Sequence, residues 1–286
     1  MVDLIVAGVT LGSIYCLAGL GFVLVFNSTG VVNFAHGDLV VLGGMAAAAT
    51  ATALGTPPLL VLAAVPLAMF PLGLALEKAA LKPLRRKNFS SAITISIAVS
   101  VIVSSLLLIV LGPEPRTLAP LVDGRIDLLG SSVPWQSILV VVATALLCGF
   151  QWWLFQRTRL GYQLRASAQD PDTARLMGIK VDRMTALTVG IASSYAGVAG
   201  VLLAPIVILA SDSGSPLTLK LYVAVVIGGF GSAVGAIVGG LSLGLLEVYI
   251  TTYVSSSYVD AIIFGLLFAV LLIRPQGILG RVQERV

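Results

Sequence analysis

The only histidine of this 286-residue chain lies in the sequence NFAHGD, residues 33–38, inside an otherwise apolar stretch. An amide, an imidazole and a carboxylate this close together could contact a polar solute. A carboxylate at the centre of a membrane helix costs about 2.5–3.5 kcal/mol, so such groups rarely face lipid. Two interpretations stay open: a helix break that borders a translocation pathway, or a structural break whose polar groups satisfy one another. The candidate pathway residues of this first break are Asn33, His36, Gly37 and Asp38.

A second unusual segment is the glycine-rich run that begins at Gly228. We interpret it as a helix break near the same pathway, with Gly228, Gly229 and Gly231 as its candidate residues. The run is not a nucleotide-binding loop, because no Lys-Ser/Thr pair follows and no strand precedes. Beyond it, glycines from Gly235 to Gly244 recur at the spacing of closely packed membrane helices. One broken helix in each half of a chain points to an inverted repeat around a central pathway.

The sequence contains no motif that predicts a catalytic site or a metal site. The chain has no nucleophile elbow, HExxH motif, paired cysteine ligands or Walker sequence. For His36 a structural role is favoured, since a metal site needs partner ligands and there is no second histidine. Cys16 and Cys148 lie in apolar runs typical of small buried thiols. Glu247 is a further carboxylate in an apolar helix, and we expect it near the outer surface. We therefore predict no catalytic residue, no bound metal and no cofactor on this chain.

The long polar segment 157–183 carries six of the seventeen basic residues. Within it, Asp170 and Pro171 are typical of a helix start and Gly178 of a helix end. The predicted helix, Pro171–Met177, is about two turns long. A short capped helix between membrane spans indicates a contact surface for another protein. Its candidate contact residues are Asp170, Pro171, Asp172, Ala174, Arg175, Leu176, Met177 and Gly178.

The elements that would position these residues are membrane helices. The chain is 58% hydrophobic and 10% charged, against about 25% charged for soluble domains. The composition predicts an all-α integral membrane protein forming one domain over residues 1–286. Apolar runs long enough to span a membrane occur near 4–26, 57–80, 91–112, 135–156 and 184–206. Three further regions are apolar but interrupted: 31–54, 217–250 and 258–273.

Orientation follows from lysine and arginine, which concentrate in cytoplasmic loops. This rule places the 81–90 loop, the 157–183 segment and the C-terminus with Arg274, Arg281 and Arg285 in the cytoplasm, and the charge-balanced 113–134 loop outside. Counting back from the first loop puts the N-terminus outside. An inside C-terminus then requires 217–250 to hold a half-helix, Leu217 to Ile227, followed by a break and a separate outward span. The net charge of +4 therefore indicates membrane orientation and not nucleic-acid binding.

Several motifs together resemble the LivH-type permeases of branched-chain amino acid ABC importers, over essentially the whole chain. They are GVTLGSIY at residues 8–15, VNFAHGD at 32–38, GYQLRA at 161–166, GGFGS at 228–232 and RPQGILG at 274–280. The resemblance implies about eight spans in the bacterial inner membrane. It also implies a second, LivM-like permease, two cytoplasmic ATPases that bind ATP and Mg²⁺, and an external solute-binding protein. The 157–183 segment would be the coupling loop, although the glutamate of the EAA signature found in many importers is missing.

Two alternatives remain at this stage. Permeases of the same type could carry urea, short amides or another small solute, because specificity resides largely in the external binding protein. A self-sufficient secondary transporter or channel belongs to a different class. A proton- or sodium-coupled carrier should show paired carboxylates at mid-depth, where only Asp38 and Glu247 are candidates.

Overall fold

The computed structural model describes residues 1–82, 89–128, 130–274 and 277–279. Parts of several predicted elements lie outside these ranges: most of the 81–90 loop, and Pro275, Gln276, Gly280, Arg281 and Arg285 of the C-terminal segment. The described part is almost entirely helical, as predicted for an all-α membrane protein. Eight of its helical stretches are long and apolar enough to cross a membrane, which agrees with about eight spans.

Most of the helices follow one another with short connections, apart from the segments 112–134 and 204–213. They are α1 (Val2–Thr29), α2 (His36–Leu54), α3 (Pro58–Leu76, continuing as a π-helical turn Glu77–Leu81), α4 (Phe89–Leu111), α5 (Trp135–Arg157), α6 (Arg159–Gln169), α7 (Pro171–Leu176), α8 (Val181–Leu203), α9 (Gly214–Gly228), α10 (Ala233–Tyr253) and α11 (Val259–Ile273). A short 3₁₀ turn, Ser256–Tyr258, precedes α11.

Three details differ from the predictions. The 113–134 loop contains an antiparallel hairpin of β1 (Arg125–Leu128) and β2 (Ser131–Pro134), in which Ile126 pairs with Val133. The 258–273 region is not interrupted, since α11 runs continuously from Val259 to Ile273. The polar segment 157–183 is itself largely helical and includes α6, whose first turn is capped by Thr158.

Residue contacts define two ends of the bundle. At the end that we call the loop end, Ser131 of the hairpin donates to Asp3 over 3.4 Å, and Tyr253 contacts Met1. At the opposite end, the coupling end, Gly30 lines the same cleft as Pro171 of α7. The N-terminus and the 113–134 loop therefore share one end, as counting spans predicts.

The core consists of α1 and α8, each packed against an antiparallel partner from the other half of the chain. Helix α1 packs on α10, where Gly8 lies against Leu245 and Gly240 against Cys16. Helix α8 packs on α3 in the same way, with Gly73 against Ser193. The first helix of each half thus packs against the third helix of the other, the exchange that an inverted repeat produces.

Candidate functional site

The first predicted break lies deep inside the bundle. The chain leaves α1 at Gly30, runs without helix through residues 31–35, and begins α2 at His36. His36 donates through Nε2 to the carbonyl of Ala18, near the middle of α1, at 3.0 Å. Asn33, His36 and Asp38 are all at most 2% exposed. The predicted residues are therefore buried among the helices of this chain.

A second helix start meets the first at this depth. The backbone N–H of Gly37 donates to Thr218 of α9 at 2.8 Å, and Thr218 donates to the carbonyl of Phe34 at 3.0 Å. A Cβ on Gly37 would lie 2.3 Å from the carbonyl oxygen of Gly214, the first residue of α9. Gly37 is thus required for close contact between two helix N-termini. We call this meeting point the helix junction.

Asp38 occupies the centre of the helix junction. Its Oδ2 accepts from Ser100, the middle residue of α4, and its Oδ1 lies against Gly214 without a hydrogen-bond partner among the described residues. The N-termini of α2 and α9 both favour negative charge at this point. The anion position that two half-helices create is therefore filled by the protein's own carboxylate. Within this chain the geometry fits the structural interpretation of Asn33, His36 and Asp38.

The glycine-rich run does break the helix as predicted. Helix α9 ends at Gly228, Gly229 and Gly231 have φ values of 121° and 83°, and α10 begins at Ala233. The half-helix begins three residues earlier than predicted, at Gly214. Ser232 caps α10 by accepting from the N–H of Gly235.

The two breaks lie apart in the structure, and their place beside a common pathway stays a prediction. Gly228 lies about 15 Å along α9 from Thr218, which is at the helix junction. At Gly228 the chain has reached the coupling end, where Asn27 donates to Gly231 and the N–H of Leu279 donates to Gly228. In the second half of the chain, the non-helical segment 204–213 and the start of α9 reach the helix junction instead. Sequence reasoning missed it because serine, aspartate and glycine at 211–215 resemble an ordinary surface turn.

Lys220 of α9 was also missed, because it is a single cation inside an apolar run. Its Nζ lies 2.7 Å from Glu247 Oε1 and 3.2 Å from Asp260, and Tyr15 donates to Glu247 at 2.6 Å. The Glu247 side chain is 13% exposed. Glu247 is therefore an ion-paired group that joins α1, α9 and α10. It is separate from Asp38, so the two carboxylates do not form the pair that a coupled carrier needs.

The predicted contact helix exists and projects from the coupling end. Asp170 caps α7 by accepting from the N–H groups of Asp172 and Thr173 at 3.1 and 3.0 Å. Hydrogen bonds from the side chain and backbone of Thr173 lower the pKa of Asp170, so the cap is charged at neutral pH. The helix ends at Leu176, one residue before the prediction, because Met177 has already left helical geometry. Gly178 follows with φ 83°, the left-handed value predicted for a helix end.

The side chains of α7 divide between the protein and solvent. Ala174 is buried, whereas Leu176 and Met177 are 88% and 79% exposed. Arg175, which we placed on the outward contact surface, forms ion pairs with Asp172 at 2.8 Å and Asp182 at 3.9 Å and keeps 55% of its side chain exposed. The end of α7 presents two exposed apolar side chains, and we call Leu176 with Met177 the apolar tip.

A cleft of about 1160 Å³ opens beside α7 at the coupling end. Its walls come from α6, α7 and the ends of α1, α5, α8 and α10, and they include Gly30, Gln151, Arg165, Asp172 and Thr188. It leaves unfilled space between α7 and the core helix α1. No cluster of three or more potential metal ligands is found among the described residues.

Comparison with known proteins identifies the family to which the chain belongs. Residues 4–271 match a family model described as the permease component of a branched-chain amino acid transport system. The chain is 32% identical to the high-affinity branched-chain amino acid transport system permease protein BraD of Pseudomonas aeruginosa, over 97% of this chain and 95% of the relative. It is 34% identical to LivH of Salmonella typhimurium and 33% identical to LivH of Escherichia coli, each over 96% of this chain and 94% of the relative. No solved structure matches the chain.

Proposed function

Because the chain belongs to the family of branched-chain amino acid transport permeases, we propose that it is a membrane subunit of an ATP-binding-cassette importer for branched-chain amino acids. It would lie in the bacterial inner membrane beside a second, LivM-like permease. An external binding protein would deliver the amino acid at the loop end. Two ATPases, which bind ATP and Mg²⁺, would attach at the coupling end in the cytoplasm.

The observation that carries this proposal is the apolar tip of α7. Two large apolar side chains that are about four-fifths exposed do not stabilise the fold of the isolated chain. Burying each of them against a partner would be worth about 1.5–3 kcal/mol. The cap at Asp170 and the ion pairs of Arg175 hold the tip in one orientation. A rigid, apolar, protruding helix suits a socket on an ATPase.

Coupling would then depend on movement of α7 against the rest of the bundle. Ala174 anchors the helix, while the cleft beside it leaves room for displacement. Nucleotide-driven motion of the ATPases would shift α7 and, through α6 and α8, the ends of the core helices.

We predict that Leu176→Gln weakens ATPase binding while the permease stays folded. Removing a central apolar contact should lower affinity about tenfold or more, because such anchors carry most of the energy of an interface. The measurement is the amount of ATPase that copurifies with the permease, together with ATP-dependent leucine uptake in membrane vesicles.

Leu54→Gln is the matched control, since Leu54 is 72% exposed at the end of α2, near the loop end. It should leave ATPase copurification unchanged. Full ATPase binding by Leu176→Gln would refute the role of the tip, and leucine uptake that survives ATP depletion would refute the importer itself.

A further inference from the structure

The segment between α8 and α9 crosses half of the bundle without forming a helix. It starts near the loop end, where the N–H of Leu118 donates to Ala204 and the N–H of Arg116 donates to Leu209. It ends at Gly214, which lies against Asp38 in the helix junction. Only turns and a single β-bridge occur between these points.

The depth of Gly214 follows from the helices that meet there. From Asp38 to Leu54, α2 rises about 24 Å toward the loop end, and from Gly214 to Gly228, α9 extends about 21 Å toward the coupling end. The hydrocarbon core of a membrane is about 30 Å thick. Residues 211–215 therefore lie near its middle.

These residues are nevertheless polar and open. Asp212 and Ser215 are exposed on the surface of the chain, with Ser211 and Ser213 half-buried beside them. The Asp212 carboxylate forms no hydrogen bond or ion pair with the described part of the chain. Ser215 lies 3.4 Å from Ser100 of α4, which is buried behind this surface. We call residues 211–215 the mid-depth polar face.

Lipid cannot be the environment of this face. Irregular backbone at membrane depth occurs only where protein buries it or where it borders water. An exposed carboxylate at this depth adds about 2.5–3.5 kcal/mol if lipid surrounds it. A face that the chain itself leaves open at the centre of the membrane therefore meets either another subunit or an aqueous pathway.

We propose that the mid-depth polar face borders the aqueous translocation pathway, where Asp212 attracts the ammonium group of the transported amino acid. The cores of subunit interfaces are depleted in charged residues and enriched in aromatic ones, and residues 211–215 show the opposite composition. Short serine side chains and a carboxylate without a partner among the described residues suit a wet passage for a zwitterion. The inference rests on the proposed function for the nature of the solute, and on the structure alone for access to water.

The test measures water access in the assembled complex. Asp212→Cys and, as a nearly isosteric second variant, Ser215→Cys are made in a Cys16→Ser, Cys148→Ser background. Membrane vesicles holding the complete transporter are treated with a charged, membrane-impermeant methanethiosulfonate from either side. Leu146→Cys is the control, because Leu146 is 69% exposed at the middle of α5 with apolar surroundings.

We expect both test variants to react at least about tenfold faster than Leu146→Cys, and saturating leucine with the binding protein to slow their reaction. Asp212→Asn should lower leucine uptake at an unchanged level of ATPase copurification. Reaction as slow as that of the control would overturn the inference. So would reaction that begins only after the second permease has dissociated, because the face would then be a subunit contact.

The same experiment gives a different result if the importer assignment is wrong. A complex without ATP-dependent leucine uptake in its unmodified form contradicts the importer assignment, whereas the labelling rates still report whether the face meets water.

Discussion

Gly178 ends α7 with a backbone conformation that most residues resist. Its φ is 83°, and a Cβ added there would meet no atom within 4 Å. The constraint is therefore conformational and not a matter of space. For residues other than glycine the left-handed region costs about 1–2 kcal/mol, with asparagine among the most tolerant. Because α7 is only six residues long, its end at Gly178 helps to orient the apolar tip, together with the Asp170 cap and the ion pairs of Arg175.

Gly178→Val should therefore reduce coupling, while Gly178→Asn should retain most of it. A β-branched residue resists the left-handed turn, so the last turn of α7 would unwind and the tip would lose its orientation. The measurement is ATP-dependent leucine uptake at matched expression. Equal uptake by the valine and asparagine variants would contradict the conformational argument.

Between elements, glycines line a close contact of α1 and α10. A Cβ on Gly244 would lie 2.2 Å from the backbone nitrogen of Gly12, and one on Gly12 would lie 2.8 Å from the Cα of Leu241. The two helices touch along their backbones, the packing expected from small residues at four-residue spacing. Any side chain at these positions must separate the helices.

Gly244→Ala should destabilise the permease by about 1–3 kcal/mol, the usual cost of overpacking. Gly265→Ala on α11 is the matched control, because a Cβ there meets no atom within 4 Å. In a helix, alanine is favoured over glycine by about 1 kcal/mol, so the control should melt at the same or a slightly higher temperature. Thermal unfolding of both variants in detergent measures the difference, and a Gly244→Ala midpoint equal to that of the control would refute the backbone contact.

At the scale of the whole molecule, the first helix of each half packs against the third helix of the other half. Helix α1 packs on α10 and α8 packs on α3, while the N-termini of α2 and α9 approach the same point from opposite ends. The half-helix α9 takes the chain from mid-depth to the coupling end, so that α10 and α11 bring Ile278 and Leu279 back to Ile227 and Gly228 at that end.

This arrangement predicts which residues can be labelled from outside the cell. Cysteines introduced by Asp123→Cys just before β1 and Ser256→Cys before α11 should both react with an impermeant reagent in intact cells. Asp172→Cys on α7 should react only after the cells are permeabilised. All three positions are exposed, so access depends on the side of the membrane. A Ser256→Cys variant protected in intact cells would overturn the half-helix arrangement.

Much of this architecture can be predicted from short stretches of the sequence. Long apolar runs specify the spans, Asp170-Pro171 and Gly178 delimit α7, and the glycines after Ile227 end α9, because capping, helix propensity and hydropathy act within a few residues. The hairpin at 125–134 and the continuity of α11 were not predicted, since short strands and weakly interrupted apolar runs give ambiguous local patterns.

The sequence by itself determined the class of protein, the number of spans and the position of the contact helix, since each of these depends on composition or on neighbouring residues. Only the tertiary structure decided which non-helical segments lie together. It brought His36 and Asp38 to Gly214 and Thr218, not to Gly228 and Gly231, and it paired Lys220 with Glu247. Gly37 and Thr218 are 181 positions apart and Lys220 and Glu247 are 27 apart, so these contacts depend on how whole helices pack, and no local pattern encodes that packing.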